Sequence, residues 1–155
     1  MYESFRDMSV WQKAINLSEK VFRLTVSLPK SEDYGITSQI RRSANSVSAN
    51  IAEGFGRNTN KDKRNFYIIA RGSAFETQSH LLYGNKIKYF ESKMIEELIS
   101  EYDSLIFELN KIMKSLKVWN FSPLALALAL TLTLTLTLTL TLISTYIKMF
   151  SVHQN

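Results

Sequence analysis

From Val10 onward, the apolar residues Val10, Ala14, Leu17, Val21, Leu24 and Leu28 recur at steps of four and three. That spacing lines up one face of an α-helix. Trp11, Ile15 and Phe22 widen the face, as expected for a helix with two neighbours. Ser9 and Gln12 have the spacing of a capping box, and Pro29 supplies the stop. After a turn at Tyr34 and Gly35, the positions Ile36, Ile40, Val47 and Ile51 predict a second helix. Ser43, Ala44, Ser46, Ser48, Ala49 and Ala52 are interleaved with them. So many small side chains let a neighbouring backbone come close. Gly54 and Gly56 are the expected end of this helix.

At about 100° of rotation per residue, Phe66, Ile69, Ala70, Ser73, Thr77 and Leu81 make the inward face of a third helix. On its opposite side Ile68, Phe75 and Leu82 repeat every seven residues, and Lys61, Arg64 and Arg71 fall on the same outward strip. A helix apolar on two sides has two partners. Ile95, Leu98, Tyr102, Leu105, Leu109, Ile112 and Leu116 give the fourth helix. Ser92 is its candidate cap, and Lys111, Lys114 and Lys117 complement the negative end of its dipole. Four such helices with short connections predict an all-α fold, an antiparallel up-down-up-down four-helix bundle over residues 1–120.

Residues 121–155 change character. Leucine occupies every even position from Leu124 to Leu142, alternating first with alanine and then with threonine. This low-complexity C-terminal extension is not part of the bundle. As a helix, its uncharged stretch from Leu124 to Ile147 is long enough to cross a bilayer, with the preceding lysines holding the bundle on the cytoplasmic side. As a strand, it would run far beyond usual lengths and be an aggregation hazard. Its dipeptide regularity favours a third reading, a short DNA repeat translated into protein.

Composition narrows the chemistry. The chain has no cysteine, which removes disulfides, thiolate metal sites and cysteine nucleophiles together. Residues 1–30 mix charges of both signs without an apolar run, so no secretory signal is read there and a cytoplasmic bundle is expected. Between residues 41 and 71, the cations Arg41, Arg42, Arg57, Lys61, Lys63, Arg64 and Arg71 stand against only Glu53 and Asp62, an excess equal to the net charge of +5. Beside Phe75 and Tyr67, that cluster suits backbone phosphates and base stacking. The competing reading is a solvated face, with Arg41 or Arg42 paired to Glu53 or Glu76 at an interface.

No catalytic constellation emerges. The chain lacks a G-x-S-x-G elbow and a P-loop, and Asn50 to Gly56 does not have dinucleotide-binding spacing. Glu76 and His80 are four residues apart, whereas di-iron bundles use Glu-x-x-His twice with two further glutamates. No metal or cofactor is expected, and a hydrogen-bonded polar layer is the better reading of Glu53, Glu76 and His80.

The runs Phe5-Arg6-Asp7-Met8 into Val10-Trp11-Gln12-Lys13-Ala14, YGITSQIRRSANSVSANIAEGFGR at 34–57 and ARGSAFETQSHL at 70–81 resemble a known bacterial family. These are the four-helix-bundle proteins encoded in intervening sequences of large-subunit ribosomal RNA genes. The likeness covers about residues 5–117. Ser48 departs from it, since many members carry proline there, so a proline kink in the second helix is not expected. The family is similar to the accessory variability determinant of diversity-generating retroelements. That similarity implies a homo-oligomer, a five-membered ring, with a basic surface for RNA or DNA and a reverse transcriptase as partner. The expected function is therefore non-catalytic nucleic-acid binding. The alternatives are a scaffold docking a protein on the Ile68, Phe75 and Leu82 strip, and a bundle tethered to a membrane by its tail.

Overall fold

Each apolar stripe needs a neighbouring helix to bury it, and the four stripes of residues 9–115 bury one another. The computed structural model describes residues 2–116 and 123–152. They form helices α1 (Ser9–Thr25), α2 (Ile36–Phe55), α3 (Asn60–Lys86), α4 (Ser92–Ser115) and α5 (Pro123–Val152), with short 3-10 turns at Phe5–Asp7 and Lys30–Glu32. The chain divides into two compact units, Met1–Val118 and Trp119–Asn155. In the first, α1 packs on α2, α2 on α3, α3 on α4 and α4 back on α1, with no diagonal pairing among the described residues. Short connections between long helices make consecutive helices antiparallel, which gives the up-down-up-down four-helix bundle.

The predicted faces of α1, α2 and α4 are the observed core. Val10, Ala14, Leu17 and Val21 are buried against Ile40, Val47, Ile51, Ile95, Leu105 and Leu109. Leu24, Leu28, Ile112 and Leu116 close the ends of the core as partly buried residues. Ile15 and Phe22 do not join it and stay exposed. Ser48 is buried, and α2 runs unbroken past it.

On α3 the expected inward residues Ala70, Ser73, Thr77 and Leu81 are buried, while Phe66 is only half-buried and Ile69 lies outside. The buried line is Tyr67, Ala70, Ser73, Ala74, Thr77, Gln78, Leu81 and Gly84. Ile69, expected inside, is 49% exposed, while Tyr67 is only 3% exposed. Periodicity thus finds the inner side of α3, and the face is turned slightly toward Tyr67 and Ala74 and away from Ile69. Small residues decide it, because α2 and α3 make the most extensive helix pairing in the bundle.

That pairing carries hydroxyl and amide groups as well as apolar ones. Thr77 Oγ1 donates to Ser43 Oγ at 3.0 Å, and the Ser46 and Ser73 hydroxyls meet at 3.0 Å. Asn50 Nδ2 donates to Ser46 O at 2.7 Å and to Ser46 Oγ at 3.0 Å. These hydroxyls and amides form the polar layer of the bundle. Glu53, Glu76 and His80, expected there, lie outside it. Burial holds the Tyr102 phenol above its ordinary pKa. The adjacent Thr77 hydroxyl pulls the other way, and Tyr102 Oη has no hydrogen-bond partner of good geometry among the described residues.

Helix ends also depart from expectation. Helix α1 begins at Ser9, with Met8 in the cap position and no side-chain cap bond. The capping box lies one turn earlier, where Ser4 Oγ accepts from Arg6 N at 3.2 Å and Ser4 N donates to Asp7 Oδ2 at 3.0 Å. Met8 is buried beneath the bundle, which makes Ser9 the first helical residue, while Gln12 Nε2 donates instead to Arg6 O at 2.8 Å. On α4, Ser92 is likewise inside the helix, and its hydroxyl bonds Asn85 at 3.1 Å. Lys117 lies outside the described residues. The tail is helical as α5, which removes the strand reading: residues 123–152 close their backbone hydrogen bonds locally.

Glycine marks two close approaches. A Cβ on Gly84 would lie 2.6 Å from Phe90 Cδ2, and one on Gly54 would lie 2.7 Å from Tyr67 Cε1. A Cβ on Gly72, in the middle of α3, would meet nothing within 4 Å. Gly72→Ala is therefore expected to stabilise the bundle by about 0.5–1 kcal/mol through helix propensity. Gly84→Ala is expected to destabilise it by about 1–3 kcal/mol through overpacking. Urea unfolding of the two variants measures both, and equal shifts of the same sign would refute the packing described.

Candidate nucleic-acid interface

The seven predicted cations do not make one surface. Arg41 is drawn toward α1, where its Nε donates to Thr25 Oγ1 at 2.7 Å and its guanidinium lies 4.5 Å from the Phe22 ring centroid. Arg42 donates to Gln39 Oε1 at 3.1 Å. Neither pairs with Glu53 or Glu76. Glu53 is bonded instead by Arg57, one turn along, and Arg57 also lies 4.4 Å from the Phe66 ring centroid. Lys63 turns to the end of the bundle and donates to Phe55 O at 3.3 Å. Lys61 is exposed in the first turn of α3.

Arg64 and Arg71 behave differently. They are seven residues apart on α3 and line a groove against α4 of about 390 Å³, with Phe107, Asn110, Lys111, Met113 and Lys114 on the other side. Met113 is buried and Phe107 is 58% exposed. Arg71 Nη1 donates to Asn110 Oδ1 at 2.7 Å, and Lys111 Nζ stands 4.6 Å from the Phe107 ring centroid. Four cations and an exposed aromatic ring thus share one groove, and no carboxylate lines it.

The contrast with the other side of α4 is informative. There Lys13 bonds Glu108 at 2.5 Å and Ser104 at 2.9 Å, and Lys20 bonds Glu101 at 2.6 Å. Cations across the α1–α4 seam are paired with carboxylates, whereas the charges lining the α3–α4 groove are all positive. Like charges brought together on a surface repel one another, and a polyanion relieves that repulsion while releasing its counterions.

Lys111, Lys114 and Phe107 were not singled out as site residues by the sequence, which explained the lysines as partners of the helix dipole. The available signal was topological. In an up-down bundle the C-terminal end of α4 lies beside the N-terminal half of α3, so outward cations at both ends meet. Tyr67 is lost from the site, since it is buried and desolvation raises its pKa. Phe75 and Leu82 remain on the outer face of α3, at 52% and 53% exposed, while Ile68 is tucked against the core. Glu76 Oε1 lies 3.8 Å from His80 Nε2, and no group of three metal-ligating side chains gathers among the described residues.

Comparison with known proteins identifies the fold and the family. The chain is similar to a protein of unknown function from the S23 ribosomal protein family of Bacteroides thetaiotaomicron, whose crystal structure matches with a TM-score of 0.62 at 23% identity. The match covers 68% of this chain and 98% of that one, and at this identity it speaks for the fold. No curated protein matches the chain. The family model for 23S rRNA-intervening sequence proteins matches residues 6–111, from the turn before α1 to the last turns of α4. The chain therefore belongs to the 23S rRNA-intervening sequence protein family.

Proposed function

We propose that the bundle is a non-catalytic nucleic-acid-binding protein that holds the phosphate backbone of RNA or DNA in the α3–α4 groove. The observation that supports this most is the convergence of Arg64, Arg71, Lys111 and Lys114 around exposed Phe107 with no carboxylate among the lining residues. In this reading the cations neutralise successive phosphates, and Phe107 offers a face for one base to stack on. Asn110 fixes Arg71, so that one of the four is preorganised. The family's name points to a ribosomal RNA context, which suits a phosphate-rich ligand.

Salt dependence tests it. Binding of the full chain to labelled structured RNA and to duplex DNA should weaken as salt rises. The triple variant Arg64→Gln, Lys111→Gln, Lys114→Gln should lower the slope of log affinity against log salt by about 2–3, at roughly 0.7–0.9 for each phosphate left without its cation. The control Lys20→Gln, Arg23→Gln removes two cations that already pair with Glu101 and Glu19, and it should leave the slope unchanged. Equal effects from both variants would sink the groove assignment, and salt-independent binding would sink the phosphate reading altogether.

The proposal extends to self-association through the outer face of α3, supported by Phe75 and Leu82, which lie two turns apart on one strip and are each more than half exposed. Ile68 is not part of that face because the core already holds it. Phe75→Glu with Leu82→Glu should convert the assembly to a monomer in sedimentation velocity with helix content unchanged. An unaltered sedimentation coefficient would remove α3 from the interface.

A further inference from the structure

Helix α5 has a surface unlike any other in the molecule. Leucine at every second position advances about 200° at each step, so the side chains cover the whole circumference and leave no polar stripe. Every described leucine from Leu128 to Leu142 is more than half exposed. A coiled coil or a bundle partner wants an apolar seam with a polar back, and α5 has none. The segment Ala127–Lys148 is 22 residues long and bears no charge before Lys148. At about 1.5 Å per residue it measures roughly 33 Å, against about 30 Å for the hydrocarbon core of a bilayer.

The threonines supply the second, independent observation. A free hydroxyl in hydrocarbon lacks a partner, and this is the main objection to a span containing so many threonines. In α5 each threonine hydroxyl folds back onto the helix. Thr131, Thr133, Thr135, Thr137, Thr139, Thr141 and Thr145 all donate to the carbonyl three residues earlier, at 2.8–3.0 Å. Thr133 and Thr141 also reach the carbonyl four residues earlier. With the donors satisfied inside the helix, the methyl groups of threonine face outward beside the leucines.

We propose that α5 is a membrane-spanning helix whose partner is the acyl-chain interior of a phospholipid bilayer. Lys111, Lys114 and Lys117 precede the span and Lys148 alone ends it, so the excess of positive charge keeps the bundle on the cytoplasmic face. Strict alternation points to a short repeated DNA unit as the origin of the segment. Origin does not decide destination, and a translated leucine-threonine repeat that closes its own hydroxyls has the physical properties of a span.

The test is synthesis of the full chain in a cell-free system with vesicles of phosphatidylcholine and phosphatidylglycerol, followed by carbonate extraction and flotation on a density gradient. The chain is expected to float with the vesicles and to resist both carbonate and high salt. Leu136→Arg with Leu138→Arg, which puts two charges at mid-span, should lower the carbonate-resistant fraction on the order of ten-fold or more. Three outcomes would overturn the proposal: protein at the bottom of the gradient as aggregate, vesicle-bound protein stripped by carbonate, or equal flotation of the variant. Nucleic-acid binding by α3 and α4 does not enter the readout.

Discussion

The bundle depends on the close approach of α2 and α3. Short side chains meet across it, Ser43 and Ser46 on one helix and Ser73 and Thr77 on the other. Serine and threonine at such a seam must be hydrogen-bonded, because burying an unpaired hydroxyl costs about 1–3 kcal/mol. The Ser43–Thr77 and Ser46–Ser73 pairs satisfy the requirement across the interface, which sets the register of the helices as well as their distance. Gly54 beneath Tyr67 extends the tight fit at one end of the pair, and Gly84 lets Phe90 of the α3–α4 connection close on α3.

Register then governs charge. Once α3 turns Tyr67, Ala70, Ser73 and Thr77 inward, Arg64 and Arg71 must face α4. Antiparallel topology delivers the C-terminal half of α4 to the same place, and with it Lys111, Lys114 and Phe107. Other cations are held elsewhere: Arg41 on α1 by Thr25 and Phe22, Arg57 in an ion pair with Glu53, Lys63 at the Phe55 carbonyl. A sequence-level cluster of seven therefore becomes a structural cluster of four, only two of which it shares.

Three helices were legible in the sequence because each has a single apolar stripe. On α1, α2 and α4 most of the residues at steps of three and four are the ones buried, since nothing competes for the inside. On helix α3 the sequence also finds Ala70, Ser73, Thr77 and Leu81, and what turns Tyr67 in and Ile69 out is the fit against α2, which periodicity on α3 does not contain. The misplaced capping box has a similar cause: Ser9 fits the local pattern, but burial of Met8 decides where the helix begins. For the site, Arg64 and Arg71 could be found along the chain, whereas Lys111, Lys114 and Phe107 required knowing that the end of α4 abuts the start of α3. In the tail the alternation of leucine with threonine left a helix and a strand both open and favoured a translated repeat. The segment is a helix, and in it each threonine hydroxyl donates to a carbonyl one turn back.

The central claim is that phosphate lies between α3 and α4, and ultraviolet cross-linking of a bound oligonucleotide followed by peptide mapping tests it most directly. The account predicts cross-links in the peptide containing Phe107, accompanied by protection of Arg64, Lys111 and Lys114 from chemical modification. Cross-links confined to Phe22 and the Arg41–Arg42 side of the bundle, with the groove cations still reactive, would contradict it.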